Sequence, residues 1–451
     1  MDGQTIVALA TPPGRSGIGV IRISGSGSLQ ALRRISSDDS LSPVPRKAFL
    51  LPLIDPSDGF LLDETLVTFF KAPNSYTGED TVEISCHGSP IILRRVLDVV
   101  LASGARLAEP GEFTLRALSN GKLNLAQAEA VRDLIDAQSV AAVRQSVRQL
   151  KGELSNRLQP IKDQLLDVIV ALESSLEFVE DDLPDVQIEN IKTKLQSTAE
   201  TIGEIAATFS SGRLLRDGIR IALVGRPNVG KSSLFNALLG EDRAIVTEVA
   251  GTTRDRLHER LIINEIPVSL FDTAGMRETN DVVEKIGVER SKQTMADADL
   301  ILVLLDGSDV LTEEDSLVID SVKGLNHLLV VNKIDLPSAA APVIESAANV
   351  LRVSAKTGEG IENLRNSIVD GFRRPGTEAG GFLISDARHY DLLSRSHSEI
   401  IESIELLSNH TSEEMVLVGL HNALRSLGEI TGETTTEDML TRIFSTFCIG
   451  K

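Results

Sequence analysis

Residues 225–232 read Gly225-Arg226-Pro227-Asn228-Val229-Gly230-Lys231-Ser232, with Ser233 following, and the motifs further along the chain decide which nucleotide such a loop serves. Those motifs are Asp272-Thr273-Ala274-Gly275, Asn332-Lys333-Ile334-Asp335 and Ser354-Ala355-Lys356. Gly225 and Gly230 let backbone N–H groups turn inward around anionic phosphates, at the positive end of the helix that follows. Lys231 is suited to neutralise the β/γ oxygens, and Ser232 offers a hydroxyl to Mg²⁺, which Asp272 can reach through water. The Asp335 carboxylate can accept from both N1–H and the exocyclic amine of guanine. Adenine lacks that pair of donors, so the ordered set implies a GTP site.

Working outward, the short segments Arg220-Ile-Ala-Leu-Val224, Val268-Ser-Leu-Phe271, Leu300-Ile-Leu-Val-Leu-Leu305 and Leu328-Leu-Val-Val331 are apolar strands, most of which lead into a nucleotide motif. Ligand groups at the carboxyl ends of parallel strands predict a doubly wound sheet. The chain before and after differs in texture. Residues 1–120 alternate β-like runs with Gly, Pro and Ser turns and hold one helical stretch near Pro90–Ser103, predicting an α+β domain. From Leu123 an apolar stripe through Val140, Val147, Leu154, Leu158, Ile161, Leu165 and Leu172 predicts long packed helices, with a break or kink at Pro160 and a further helix over 187–210. Helical texture returns after residue 376. The expected fold is therefore α/β and multidomain: an α+β N-terminal domain (1–120), an all-α helical domain (121–215 and 376–451) and a Ras-like P-loop G domain (216–375) inserted into it. Helices on both sides of the insertion would share a core.

At 451 residues the chain exceeds a single hydrophobic core. No apolar run reaches the ~18 residues of a membrane span, and Met1-Asp2-Gly3-Gln4 lacks a basic leader region, so neither a membrane segment nor a secretory signal is expected. Cys86 and Cys448 are the only cysteines, which argues against a disulfide framework and fits a cytoplasmic protein. A net charge of −20, the absence of Trp and an aromatic content of 3% disfavour direct capture of nucleic acid, so any such role needs a local patch or a basic partner.

The switch region carries an anomaly. Thr253, in Gly251-Thr252-Thr253-Arg254-Asp255, is placed to complete Mg²⁺ coordination and sense the γ-phosphate. Where Ras-like enzymes carry a water-orienting glutamine, this chain has Met276. Glu278, Asp281 and Glu284 are acidic candidates to replace it, and spacing alone does not choose among them.

Beyond the G motifs, Thr11–Gly25, Asn74-Ser-Tyr-Thr-Gly-Glu-Asp80, His87-Gly88, Pro110-Gly-Glu-Phe-Thr114, Gly121–Ala130 and Phe447-Cys-Ile-Gly-Lys451 together resemble the MnmE (TrmE) tRNA-modification GTPases over essentially the full length. The resemblance implies a homodimer formed through a tetrahydrofolate-binding N-terminal domain. It implies work with an FAD-dependent MnmG subunit that attaches an aminomethyl-type group to the wobble uridine of tRNA, with the one-carbon unit from 5,10-methylenetetrahydrofolate or 5-formyltetrahydrofolate and tRNA contacted mainly through that partner. It further implies K⁺-activated hydrolysis when two G domains meet. The K⁺ ligands would be Asn228, Thr247, Val249 and Thr252, and Glu284 would orient water. Folate contacts map to Arg22, Glu83, Lys122 and Lys451, and Cys448 is either a one-carbon-carrying thiol or a packing residue. Cys86 reads as structural, and His87 as a turn or packing histidine. The rival readings are a regulatory GTPase of ribosome assembly without modification chemistry, and N-terminal and helical regions that only scaffold a dimer.

Overall fold

The protein is described by a computed structural model over residues 3–177, 185–240, 258–272, 297–337, 350–372, 381–409 and 413–450. The chain divides into two compact units. One comprises Met1–Ile135, Gln149–Asp182 and Thr411–Lys451, the other Asp136–Arg148 and Leu183–His410.

The first unit begins with a six-stranded sheet. Its strands are β1 (Ile6–Leu9), β2 (Ile18–Ser24), β3 (Phe49–Ile54), β4 (Leu61–Phe70), β5 (Thr81–His87) and β6 (Arg106–Leu107), in the order β3-β4-β5-β2-β1-β6. Only the β1–β6 pair is parallel. Period-two alternation sorts each strand. Ile21, Ile23, Val67, Val82, Ile84 and Cys86 turn inward to a core closed by Leu32, Leu93 and Val96 from helices Ser28–Ser36 and Pro90–Ala102. On the opposite face Leu50, Leu66, Ser85 and Val20 are successive register partners across four strands, and Leu50 is 79% exposed.

The same unit holds five further helices: Glu112–Ser119, Leu125–Asp136, Glu153–Glu177, Glu413–Thr431 and Glu437–Phe444. Leu125, Ala128, Phe444 and Phe447 form one apolar cluster, so residues from both ends of the sequence share it. Helix Glu413–Thr431 packs on helix Glu153–Glu177, and Lys162 Nζ of the latter meets Glu433 Oε1, two residues past the end of the former, at 2.5 Å. The expected break at Pro160 is absent: helix Glu153–Glu177 runs unbroken through it. Pro160 and Asn156 are exposed, so the carbonyl left without its i+4 donor can be hydrated, while Leu154, Leu158, Ile161 and Leu165 hold the buried face on both sides.

In the second unit helix Asp185–Ala207 packs against helix Ala387–Ser408. The helix expected over 187–210 stops instead at Ala207, where Thr208 turns its Oγ back on the Ile205 carbonyl, and a new helix, Phe209–Asp217, follows. The G-domain sheet comprises β7 (Ile219–Val224), β8 (His258–Ile263), β9 (Ile266–Asp272), β10 (Leu300–Asp306), β11 (His327–Asn332) and β12 (Val350–Arg352), in the order β12-β11-β10-β7-β9-β8. All its pairs are parallel except β8–β9. β10 is buried on both faces, as its continuous apolar run requires.

The chain leaves and rejoins the helices at one clasp. Arg216 donates to Asp386 Oδ2 at 2.8 Å, the Ile384 N–H donates to Thr208 Oγ, and Gly212 lies so close to Ile384 that a Cβ would stand 2.1 Å from its carbonyl oxygen. Burial opposes ionisation of Asp386, but His389 and the Arg216 guanidinium outweigh it and hold the carboxyl far below the usual carboxylate range. The fold is thus the α+β, helical and inserted G-domain combination that the sequence texture predicts.

Candidate nucleotide-binding site

β7 lies between β10 and β9, so the loop after it opens at the point where strand order reverses, the position at which open parallel sheets bind ligands. The loop needs residues that tolerate left-handed backbone. Gly225, Asn228 and Gly230 have φ of +155°, +64° and +96°, and Gly230 starts the helix Lys231–Leu239. A Cβ on Gly230 would stand 2.4 Å from Asn332 Nδ2, so that glycine is also required by close approach. Lys231 Nζ donates to the Gly225 and Arg226 carbonyls at 2.6 and 2.8 Å, which holds its ammonium across the loop that would receive phosphate. Ser232 and Ser233 are exposed in the first turn of the helix.

Three loops converge there. Asn332 is buried, and both ends of its amide are committed: Nδ2 donates to the Val229 carbonyl at 3.0 Å, and Oδ1 accepts from the Ala355 N–H at 3.0 Å. It braces the P-loop and the Ser-Ala-Lys loop to each other, using one of its two amide donors and one of its two acceptor positions. Asp335 Oδ1 accepts from Ser354 Oγ at 2.7 Å, which fixes the orientation of the carboxylate expected to meet guanine. Gly230, Ser233, Asn332, Lys333, Asp335, Ala355 and Lys356 line a cavity of about 600 Å³, within the range of small-ligand sites.

Lys333 has a structural task as well. Its Nζ donates to the Asn228 carbonyl at 2.7 Å and to Asp306 Oδ2 at 2.6 Å. Burial works against ionisation of Asp306, but hydrogen bonds from Lys333 and Ser308 prevail and keep its carboxyl below the ordinary range. Arg226 is engaged by Asp309 at 2.9 Å and Asp315 at 3.4 Å. Asn236, Ala237 and Leu336 also line the cavity, while Asp306 lies outside its lining and holds Lys333; the sequence motifs single out none of the four. Asp306 ends a core strand and is the register partner of Asn332, a pairing that only the folded sheet supplies.

Thr247, Val249, Thr252, Thr253, Thr273, Ala274, Gly275, Met276 and Glu284 lie outside the described residues, as does Lys451. Asp272 ends β9, beside Leu223 of β7.

In the N-terminal domain Arg22 and Glu83 are cross-strand partners, with Arg22 Nε 2.9 Å from Glu83 Oε1. Arg22 Nη1 also donates to the Gly450 carbonyl at 3.1 Å, and its guanidinium lies 5.8 Å from the Tyr76 ring centre and 5.7 Å from that of Phe113. The Gly111 N–H donates to the Cys448 carbonyl, which fastens the C-terminal segment beside this centre with the Cys448 side chain exposed. Lys122 is exposed next to Gly78 and, among the described residues, makes no direct contact with Arg22 or Glu83. Cys86 is buried in the sheet core, and burial, reinforced by Asp63, pushes its thiol up to about 12. His87 is exposed and its Nδ1 meets Asp63 Oδ1 at 2.7 Å.

A P-loop at the switch point of a parallel sheet, braced by Asn-Lys-x-Asp and Ser-Ala-Lys loops, defines a GTP-binding hydrolase of the P-loop class. Sequence comparison narrows that class. The family described as the MnmE helical domain matches residues 125–448, and the GTP-binding protein TrmE N-terminus matches residues 5–122. The tRNA modification GTPase MnmE of Aquifex aeolicus is 46% identical over 450 residues, covering 99% of this chain and 100% of that protein. Its counterpart in Koribacter versatilis is 45% identical over 456 residues, covering 99% of each. A crystal structure of Aquifex aeolicus Era bound to GDP.AlF4- is 26% identical, covers 41% of this chain and 67% of that one, and superposes with a TM-score of 0.28. This chain belongs to the MnmE family of tRNA modification GTPases and is itself a GTPase of tRNA modification. Among the described residues, no helix is long and apolar enough to cross a membrane.

Proposed function

We propose that this chain is a K⁺-activated GTPase whose hydrolysis requires pairing of two copies, and that with an FAD-dependent MnmG subunit it modifies C5 of the wobble uridine using a folate one-carbon unit. The observation that carries the reading is Asn228. It stands exposed in the P-loop with left-handed backbone, and among the described residues its side-chain amide has no hydrogen-bond partner. A neutral amide oxygen with Thr247, Val249 and Thr252 suits a monovalent cation, which neutral oxygen donors hold without a protein charge. When bound, the cation offsets charge growing between the β- and γ-phosphates, as an arginine finger would. Ser232 and Thr253 would hold Mg²⁺, Lys231 would neutralise the γ-phosphate, and Glu284 would orient the attacking water in place of the residue that Met276 supplants.

Further features support the remaining parts. The open sheet face through Leu50, Leu66 and Val20 suits burial against a second N-terminal domain (1–120). Glu83 can accept from a pterin's aminopyrimidine edge once it parts from Arg22, and Arg22, Lys122 and Lys451 can hold the acidic tail. Cys448, fastened beside that centre, is the candidate one-carbon thiol. The clasp at Arg216–Asp386 suits a G domain spanning 216–375 between helical segments 121–215 and 376–451. The −20 charge favours tRNA contact through the partner, and two cysteines without a disulfide framework suit work in the cytoplasm.

The deciding experiment compares GTP hydrolysis in K⁺ and Na⁺ as protein concentration rises, with and without purified FAD partner. A rate that climbs with concentration in K⁺ alone is expected. Equal rates in both salts would overturn the cation assignment. Modified uridine appearing only when a folate one-carbon donor is present separates this reading from a ribosome-assembly timer.

A further inference from the structure

Behind the P-loop, two cationic side chains are matched to carboxylates. Arg226 is held by Asp309 and Asp315, and Lys333 by Asp306. The second pair lies against the residue that would ligate the monovalent cation. Lys333 Nζ is 2.7 Å from the Asn228 carbonyl, and Asn228 and Lys333 are both left-handed, at φ +64° and +65°. One ammonium therefore ties together two backbone positions that a β-carbon disfavours. It also sets a full positive charge beside a proposed cation site, and two like charges so near repel strongly in a partly desolvated loop.

We propose that Asp306 is a specificity-determining positioning residue for the cation at Asn228. Its carboxylate makes the Lys333 pair electrically neutral and fixes the ammonium on the Asn228 carbonyl. Three observations carry this. Asp306 Oδ2 is 2.6 Å from Lys333 Nζ, close enough to cancel its field. Oδ1 accepts from Ser308 N–H and Oγ–H at 3.0 and 2.6 Å, so the carboxylate cannot swing away. The Gly307 N–H donates to the Asn332 carbonyl at 2.7 Å, so the turn bearing the carboxylate is bound to the strand end that carries Lys333. Without the carboxylate, Lys333 would still fill the Asn228 carbonyl but would repel the incoming cation. The effect falls on the cation and spares the base, because Asp335 and Ser354 are held independently.

This inference rests on the K⁺ reading above, and the test separates the two. Full-length protein is titrated with KCl at constant ionic strength, and formation of the fluorescent mant-GDP·aluminium fluoride complex is followed; thallium-205 NMR reports cation occupancy directly. Asp306→Asn should raise the K⁺ midpoint about tenfold, the scale of removing one nearby compensating charge. Affinity for mant-GDP without fluoride should change less than about threefold, and Asp306→Glu, which keeps the charge, should stay within about threefold of the unaltered midpoint. An unchanged midpoint in Asp306→Asn, or an equal shift in Asp306→Glu, overturns the charge role of Asp306 and leaves K⁺ activation standing. An unaltered protein that forms the complex equally well in Na⁺ overturns both.

Discussion

The nucleotide pocket and the Arg22–Glu83 centre hold their polar groups by opposite means. In the pocket, side chains of short contiguous motifs hydrogen-bond to the backbone of neighbouring loops: Asn332 to Val229 and Ala355, Lys333 to Asn228, Lys231 to Gly225. In the N-terminal domain two opposite charges on adjacent strands satisfy each other, and a carbonyl from the far end of the chain completes the set. The first arrangement is preorganised and keeps the carboxylate of Asp335 available for a base. The second is self-satisfied, so a ligand there must displace an existing ion pair. Affinity at the pocket should accordingly depend on single donors and acceptors, and affinity at the sheet face on the balance between two partners.

The sharpest way to break this contrast is Asp335→Asn. One of two acceptors becomes a donor, so GTP affinity should fall about a hundredfold or more while xanthine nucleotide gains, as read by competition binding. Unchanged base preference would remove Asp335 from base recognition. A smaller effect is expected from Arg22→Ala, which frees Glu83 and the Gly450 carbonyl together. Binding of 5-formyltetrahydrofolate should weaken about tenfold, and amide exchange over 444–450 should accelerate, with GTP affinity unaltered. Tighter folate binding would mean that the ion pair competes with the ligand more than Arg22 helps it.

Asp386→Asn tests the clasp on the nucleotide-binding unit. The Asp386 carboxyl is held below its unfolded value of about 3.9, so its contribution is fully present above that pH and is lost as pH falls toward the folded value. The substitution should cost about 1–3 kcal/mol in urea unfolding at pH 7, and the difference from the unaltered protein should shrink below pH 4. A pH-independent difference would show that the carboxylate's charge is not what matters. The smallest effect concerns the two thiols. With its thiol pushed up to about 12 and buried, Cys86 should resist alkylation at pH 8 until the protein unfolds, whereas exposed Cys448 should react in the folded state. Equal labelling would mean that the N-terminal core opens readily.

Much of the G domain was legible because each motif performs its chemistry within a few consecutive residues, and an apolar strand leads into each motif described here. Gly225 and Gly230 declare the left-handed backbone that the loop adopts, and Asn332, Asp335 and Lys356 from two separate motifs meet at one cavity. Asp306 escaped because nothing in Leu-Leu-Asp-Gly-Ser distinguishes a strand-ending carboxylate from an ordinary turn residue; its task depends on a neighbour in the adjacent strand. The bracing role of Asn332 escaped for the same reason. At Pro160 the break did not occur, because the lost hydrogen bond is outweighed by burial of apolar residues before and after it.

By itself, then, the order of residues determined the nucleotide, the parallel sheet beneath it and the α+β and helical character of the flanking regions, since periodicity and turn chemistry act over short distances. Tertiary structure alone decided that Arg22 receives the carbonyl of Gly450, that Arg216 clasps Asp386 and that Lys333 meets Asp306. Each is a contact between strands, loops or chain ends whose geometry no local pattern encodes, because the entropy of closing such loops is recovered only when the whole core forms.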